Sequence, residues 1–291
     1  MLGGHGGDIY EMARRLGCAQ SEVIDMRSNI NPLGPPPGLV NYSDNFRPNI
    51  GRRIKSIDSE DTVFICNPNN PTGSLIPKHE VEWLCRSHPG TNFIVDESYL
   101  SFVNNGEKES LINTGLSNVI VLISISKIFK IPGLRIGFVI SVAKTIKKFR
   151  RCLLPWSVNS LAQAAGRYLA AQRTEIGSFI QRTQLFFEDQ RNEFYEKFEH
   201  LPEIRIFPST TSFILIKLPP LLSADRVCNQ LAREKILIRN CTNFYGLSDQ
   251  FIRISLKSRE QNRMLAEKLP AILQMPASRC PRLDQKSSVA N

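Results

Sequence analysis

Apolar residues along this chain gather in short, unbroken runs separated by longer stretches with helical spacing. Thr62 to Cys66, Asn92 to Val95, Val119 to Ile123 and Arg135 to Ile140 are four such runs. None alternates cleanly between apolar and polar positions, which predicts strands of a mostly parallel sheet covered on both faces. Lys78 to Ser87 carries a helical pattern with Pro77 at its first turn. Past residue 150 the pattern changes. Helices are predicted over Val158 to Gln172, Glu175 to Glu199, Ala224 to Glu234 and Glu260 to Leu273, with strands over Thr211 to Leu218, Ile236 to Arg239 and Phe251 to Leu256. The predicted class is α/β, a mostly parallel sheet domain followed by a smaller α+β domain. The expected divisions are an arm over 1–38, a large domain over 39–152, a small domain over 153–275 and a polar tail over 276–291.

Proline and glycine crowd Asn29 to Gly38, which therefore reads as an extended arm held by its surroundings. Asp44 to Asp61 is polar and basic with little periodicity.

Composition changes this picture in one respect. With 37 Lys+Arg against 27 Asp+Glu the net charge is +10, which suits either an anionic small molecule or a nucleic acid. The charge is spread along the chain, and its densest cluster, Lys144 to Arg151, reads as a solvated helix face. No RNP, zinc-finger or KH pattern accompanies it, so a nucleic-acid partner is not expected. Seven cysteines without a C-x-x-C, and four histidines without H-E-x-x-H, point away from a disulfide framework and from a metal site. The longest apolar stretch, Val119 to Ile125, is too short to span a bilayer, and the first residues lack an apolar leader. A cytoplasmic setting is the expectation.

The chemistry sits just beyond the first three strands. Asn67-Pro68-Asn69-Asn70-Pro71-Thr72-Gly73 follows the first, Asp96-Glu97-Ser98-Tyr99 the second and Ser124-Ile125-Ser126-Lys127 the third. Asn70, Asp96 and Lys127 lie 26 and 31 positions apart, about one β-α unit each time. All three should therefore reach the carboxyl edge of one parallel sheet, where open α/β folds bind ligands. An amide, a carboxylate and an amine at one rim are what pyridoxal phosphate requires: the amine for a Schiff base, the carboxylate for the pyridinium nitrogen, the amide for the phenolic oxygen. Ser124, Ser126 and Arg135 supply hydroxyls and a cation for a phosphate. Each element alone has a bland reading, as a turn, a helix cap or a common tripeptide. The order and spacing together argue against coincidence.

In these segments the chain resembles the fold-type-I pyridoxal-phosphate enzymes of the histidinol-phosphate aminotransferase type. It resembles still more the threonine-phosphate decarboxylases of cobalamin biosynthesis. The further residues that carry the resemblance are His5-Gly6-Gly7-Asp8, Ser28 to Gly34, Leu154-Pro155-Trp156-Ser157-Val158-Asn159, Ile236 to Cys241 and Phe251 to Ser255.

The resemblance implies that Lys127 holds the cofactor, that Asp96 meets its ring nitrogen, that Asn70 and Tyr99 bracket its phenolic oxygen, and that Ser124, Ser126 and Arg135 hold its phosphate. It further implies that Arg253, helped by Asn159, takes a substrate carboxylate, while His5, Asn31 and Arg239 take the substrate's own phosphate. The implied activity is decarboxylation of L-threonine O-3-phosphate by a homodimer. Histidinol-phosphate transamination and an inactive relative are the alternatives. Read by themselves, Arg239 and Arg253 could be surface strand ends, and Trp156 reads as packing. Between Pro37 and Asp61 the chain is shorter than the family. It lacks there an Asn-Gly-x-x-Glu loop and a ring-stacking aromatic.

Overall fold

The structure, a computed structural model, describes residues 9–29, 62–201 and 203–274. Three parallel strands open the first unit: β2 (Thr62–Cys66), β3 (Asn92–Asp96) and β4 (Val119–Ser124). β1 (Ile24–Asp25) belongs elsewhere, as described below. The fourth strand, β5 (Gly137–Ile140), pairs with β4 in the antiparallel sense. This corrects the expectation that the fourth run continues the parallel series. The only helix over residues 125–136 is a 3-10 turn at Pro132–Leu134, and no crossover helix carries the chain back to the other end of the sheet.

Coverage of the sheet also differs from expectation. Helix α2 (Lys78–Ser87), beginning immediately after Pro77, lays Val81, Leu84 and Cys85 against Ile65, Phe93, Val95, Val119 and Val121. The opposite face is only partly covered: Phe64 is 55% exposed and Val139 43%. The connection from β3 to β4 holds two 3-10 turns and no α-helix among its residues, so no second helical layer forms from it.

The second unit is built on an antiparallel sheet in the order β6 (Arg205–Ile206), β7 (Phe213–Lys217), β10 (Phe251–Ser255), β9 (Arg239–Asn240). Helices α5 (Arg173–Phe198), α6 (Ala224–Arg233) and α7 (Arg259–Leu273) bury Phe187, Phe194, Val227, Leu231, Leu265 and Leu269 in the core shared with Phe213, Ile214, Ile252 and Ile254. Helices α3 (Ala143–Cys152) and α4 (Ser160–Ala171) lead into α5, and α3 buries no residue, as its basic composition predicts. The run 236–239 is divided. β8 (Ile236–Leu237) pairs in parallel with β1 of the N-terminal segment, whereas β9 pairs with β10. Helix α1 (Ile9–Leu16) packs Met12 and Ala13 beside Ala232 and Leu237.

The two units meet at Gly73. Its carbonyl accepts bonds from the Thr210 amide at 2.7 Å and the Thr210 hydroxyl at 2.9 Å. Gly73 has φ +70°, and any side chain there would overlap Ser209, so glycine is required twice over.

Candidate active site

β2 and β3 end level, and β4 runs on to Ser124, just beyond them. Cys66 is the register partner of Asp96, and Asp96 that of Leu122. The loops carrying Asn70, Asp96 and Lys127 therefore leave from one edge, as the spacing predicts. The Asn67 side chain closes the first loop by donating to the Ile76 carbonyl and accepting from the Ile76 amide, both at 2.7 Å. Asn70, inside that loop, is 1% exposed, and its side-chain oxygen accepts a bond from Arg253. That orientation turns the amide nitrogen, a donor, toward other duties. The Asp96 carboxylate is oriented by the Ser98 amide at 2.9 Å and by the Ser98 hydroxyl.

Ser124 closes β4, and Ser126 and Lys127 follow it, Lys127 half-buried. The Ser126 hydroxyl is fully buried and has no hydrogen-bond partner among the described residues. A buried donor left in that state costs free energy unless a ligand meets it. Arg135 is exposed, with φ +54°, between the 3-10 turn and β5. Gly137 of β5 pairs with Ser124, so Arg135 stands on the same rim as the two serines.

Across from this rim, Arg239 and Arg253 are register partners on β9 and β10, and each is 5% exposed. Arg239 donates to Asn243 at 2.8 Å and lies over the Phe244 ring at 5.4 Å. Burial, reinforced by the like charge of Arg253, pulls the Arg239 guanidinium below its ordinary value. Arg253 lies over the Phe213 ring at 5.2 Å and donates to the Arg27 carbonyl at 2.7 Å.

The N-terminal segment passes directly through this place. Arg27, 8% exposed, pairs with Asp25 at 2.9 Å. Asn29, 2% exposed, donates to the Tyr99 hydroxyl at 2.5 Å and accepts from the Ser255 hydroxyl at 2.5 Å. Tyr99 is wholly buried, its ring edge-on to Phe213 at 4.9 Å. Asn29 and Ser255 lie in segments that carry the resemblance but were given no role from sequence, and Lys257 was not named. The apolar–polar alternation Arg253, Ser255, Lys257 was the available signal.

Other expectations fall differently. Asn159 is exposed and caps α4, accepting from the Ala162 amide at 2.9 Å and donating to the Leu134 carbonyl at 3.0 Å. Trp156 is 95% exposed with φ +65°, so among the described residues it does not take the packing role expected of it. The neighbouring Leu153, Leu154 and Leu161 are exposed too, and no apolar wall among the described residues receives the ring. His5 and Asn31 lie outside the described residues. So do Ile30 to Gly38 and the stretch to Asp61.

Glu97, next to Asp96, faces away into a separate cleft of about 790 Å³ lined by Leu100, Asn104, Ser110, Ile180 and Gln184. It accepts from the Ser110 hydroxyl at 2.6 Å and the Leu111 amide at 2.7 Å. Burial nevertheless pushes its carboxyl up to about 7. No helix among the described residues is long and apolar enough to cross a membrane.

Comparison with known proteins gives the family. The family described as "Aminotransferase class I and II" matches residues 38–269. A putative threonine-phosphate decarboxylase of Caldanaerobacter subterraneus subsp. tengcongensis is 29% identical over 82% of this chain and 70% of its own length. The histidinol-phosphate aminotransferase of Thermoanaerobacter pseudethanolicus is 31% identical over 80% of this chain and 64% of its own. Among solved structures, the histidinol-phosphate aminotransferase from Clostridium acetobutylicum superposes with a TM-score of 0.65 at 29% identity, covering 73% of this chain and 64% of that one. The chain thus spans about two thirds of the length of these relatives.

Proposed function

The chain belongs to the aminotransferase class I and II family, a fold-type-I, pyridoxal-phosphate-dependent family, and from that premise we propose that it decarboxylates L-threonine O-3-phosphate to (R)-1-aminopropan-2-yl phosphate in cobalamin biosynthesis. The residues present suit the cofactor. A buried serine hydroxyl awaits an acceptor or donor, and an oriented carboxylate, an amide nitrogen and a lysine share its rim.

In this reading Lys127 holds the cofactor, Asp96 meets its ring nitrogen, Asn70 and Tyr99 its phenolic oxygen, and Ser124, Ser126 and Arg135 its phosphate. When bound, pyridoxal phosphate supplies an electron sink for the pair released at the substrate's Cα. The remaining work falls to side chains. Arg253 forks onto the substrate carboxylate and sets the Cα–carboxylate bond for cleavage, while Arg239 holds the phosphate. After carbon dioxide leaves, Lys127 returns a proton to Cα. His5 and Asn31 are proposed to join Arg239, and Asn159 to support Arg253.

The observation that carries this reading is the opposed pair Arg239 and Arg253. Two like charges at directly facing strand positions repel one another, and both are buried. A ligand with two anionic groups a few bonds apart relieves that repulsion, and O-phosphothreonine has a carboxylate and a phosphate at that separation.

Transamination of histidinol phosphate is the second reading, favoured by the 31% identical aminotransferase. An inactive relative is the third. A homodimer, as in the resemblance above, is the proposed assembly. The test is release of carbon dioxide from O-phospho-L-threonine without a keto acid. Turnover of histidinol phosphate only with 2-oxoglutarate would move the assignment to the aminotransferase.

A further inference from the structure

Three same-side residues of one strand and its extension take hold of three successive residues of the N-terminal segment. Arg253 donates to the Arg27 carbonyl at 2.7 Å, Lys257 to the Ser28 carbonyl at 2.5 Å, and Ser255 to the Asn29 side-chain oxygen at 2.5 Å. The Ser255 amide adds a bond to the Met26 carbonyl at 3.0 Å. Residues 253, 255 and 257 share a face because side chains on a strand alternate.

Of the three handles, Arg253 also serves the candidate ligand and Ser255 is a short hydroxyl. Among the described residues the Lys257 ammonium donates to the Ser28 carbonyl alone, so its work there is on this strap. We propose that Lys257 is a positioning residue: it latches the segment Arg27 to Asn29 onto β10 and so keeps Asn29 against Tyr99 at the site.

The charges around the latch make it sensitive to pH. Asp25 of β1 favours its charged form. Lys127 and Lys130 beyond β4, and Arg253 of β10, oppose it. The stem keeps some exposed surface while the ammonium is shielded, and this loss of water is the largest influence. Together they bring Lys257 down to about 8. Below that pH the bond to Ser28 is charge-assisted; above it the neutral amine makes an ordinary, weaker one. An arginine at this position stays charged throughout.

The step from strap to ligand rests on the phosphorylated amino-acid reading above, whereas the strap itself does not. Hydrogen–deuterium exchange of residues 24–29 therefore comes first, expressed as protection factors at about pH 7 and about pH 9.5, either side of the Lys257 titration. Wild-type protection should fall several-fold at the higher pH. Lys257→Met should be poorly protected at both values, and Lys257→Arg well protected at both. Isothermal titration with O-phospho-L-threonine should show binding roughly ten-fold weaker in Lys257→Met and restored in Lys257→Arg.

Unchanged protection in Lys257→Met overturns the latch, as does failure of Lys257→Arg to restore it. A strap that loosens while ligand affinity stays constant overturns the positioning role. If Lys257→Met does not fold, wild-type protection that ignores pH while Lys257→Arg behaves identically overturns it equally. If the wild type binds no O-phospho-L-threonine, the functional reading fails, and the exchange data alone decide the latch.

Discussion

Arg239 and Arg253 face each other as Cα partners across the antiparallel pair β9–β10, both buried, each laid over a phenylalanine ring. The two are not equivalent. Arg253 reaches the loop of Asn70 and the carbonyl of Arg27, and so touches two segments distant in sequence. Arg239 reaches Asn243, only four residues away.

Their difference gives the first prediction. Hydrogen bonds between charged groups contribute about 1.5–3 kcal/mol each. Arg239→Ala should therefore weaken O-phospho-L-threonine roughly ten- to hundred-fold while leaving unphosphorylated threonine nearly unchanged. Arg253→Ala should weaken both. Titration of the four combinations by calorimetry checks this. Equal losses for the two ligands in Arg239→Ala would remove Arg239 from the phosphate site.

Covalent capture tests the rim. Incubation with pyridoxal phosphate, reduction with borohydride and peptide mapping should place the label on Lys127. The half-buried Lys257 and exposed Lys130 stand close enough to serve as internal controls. Label on either of these, with Lys127 clean, overturns the assignment.

Glu97 should leave a mark on stability rather than on chemistry. Its folded-state carboxyl is raised from 4.5 to about 7. The folded state therefore holds a proton that the unfolded chain has released, and stability is lost as pH rises from about 4.5 through about 7. Glu97→Gln mimics the protonated form. It should flatten the dependence of the urea midpoint across this window and raise stability at pH 8 by roughly 1–3 kcal/mol. A variant whose midpoint still falls in parallel with the wild type would show that Glu97 is not the titrating group.

Asn159 separates a cap from a ligand. Loss of the cap in Asn159→Ala should cost about 1 kcal/mol of stability. Asn159→Asp, which still accepts the Ala162 amide bond, should recover most of it. If O-phospho-L-threonine binding drops in both variants by the same factor, the amide nitrogen also serves the substrate. If binding is unmoved in Asn159→Asp, the residue is a cap alone.

The strands of the first sheet were legible because their runs are uninterrupted and bounded by strong turn residues. Helix α2 was legible to the residue, with Pro77 at its start. The direction of β5 was not, because periodicity reports burial and not strand sense; only the short connection over 125–136 separates the two cases. The division of 236–239 escaped for a similar reason: one apolar run serves two partners, one of them distant in sequence. At the site, Asn70, Asp96 and Lys127 could be placed on one edge from spacing alone. Asn29 could not. It lies in a Gly- and Pro-rich stretch without period, and its importance comes from contacts with residues 99 and 255.

The alternate handles Arg253, Ser255 and Lys257 impose a constraint on chain length. One residue added between Arg253 and Ser255 would turn the later handles to the far side of the strand and release Ser28 and Asn29 together. The same addition in the loop between β9 and β10, at Tyr245 to Ser248, would leave every handle in place. A paired insertion experiment, read by thermal melting and by exchange of the strap, should thus find one position tolerant and the other not. With the two segments so joined, β10 keeps the measure by which Arg27 to Asn29 find their seat.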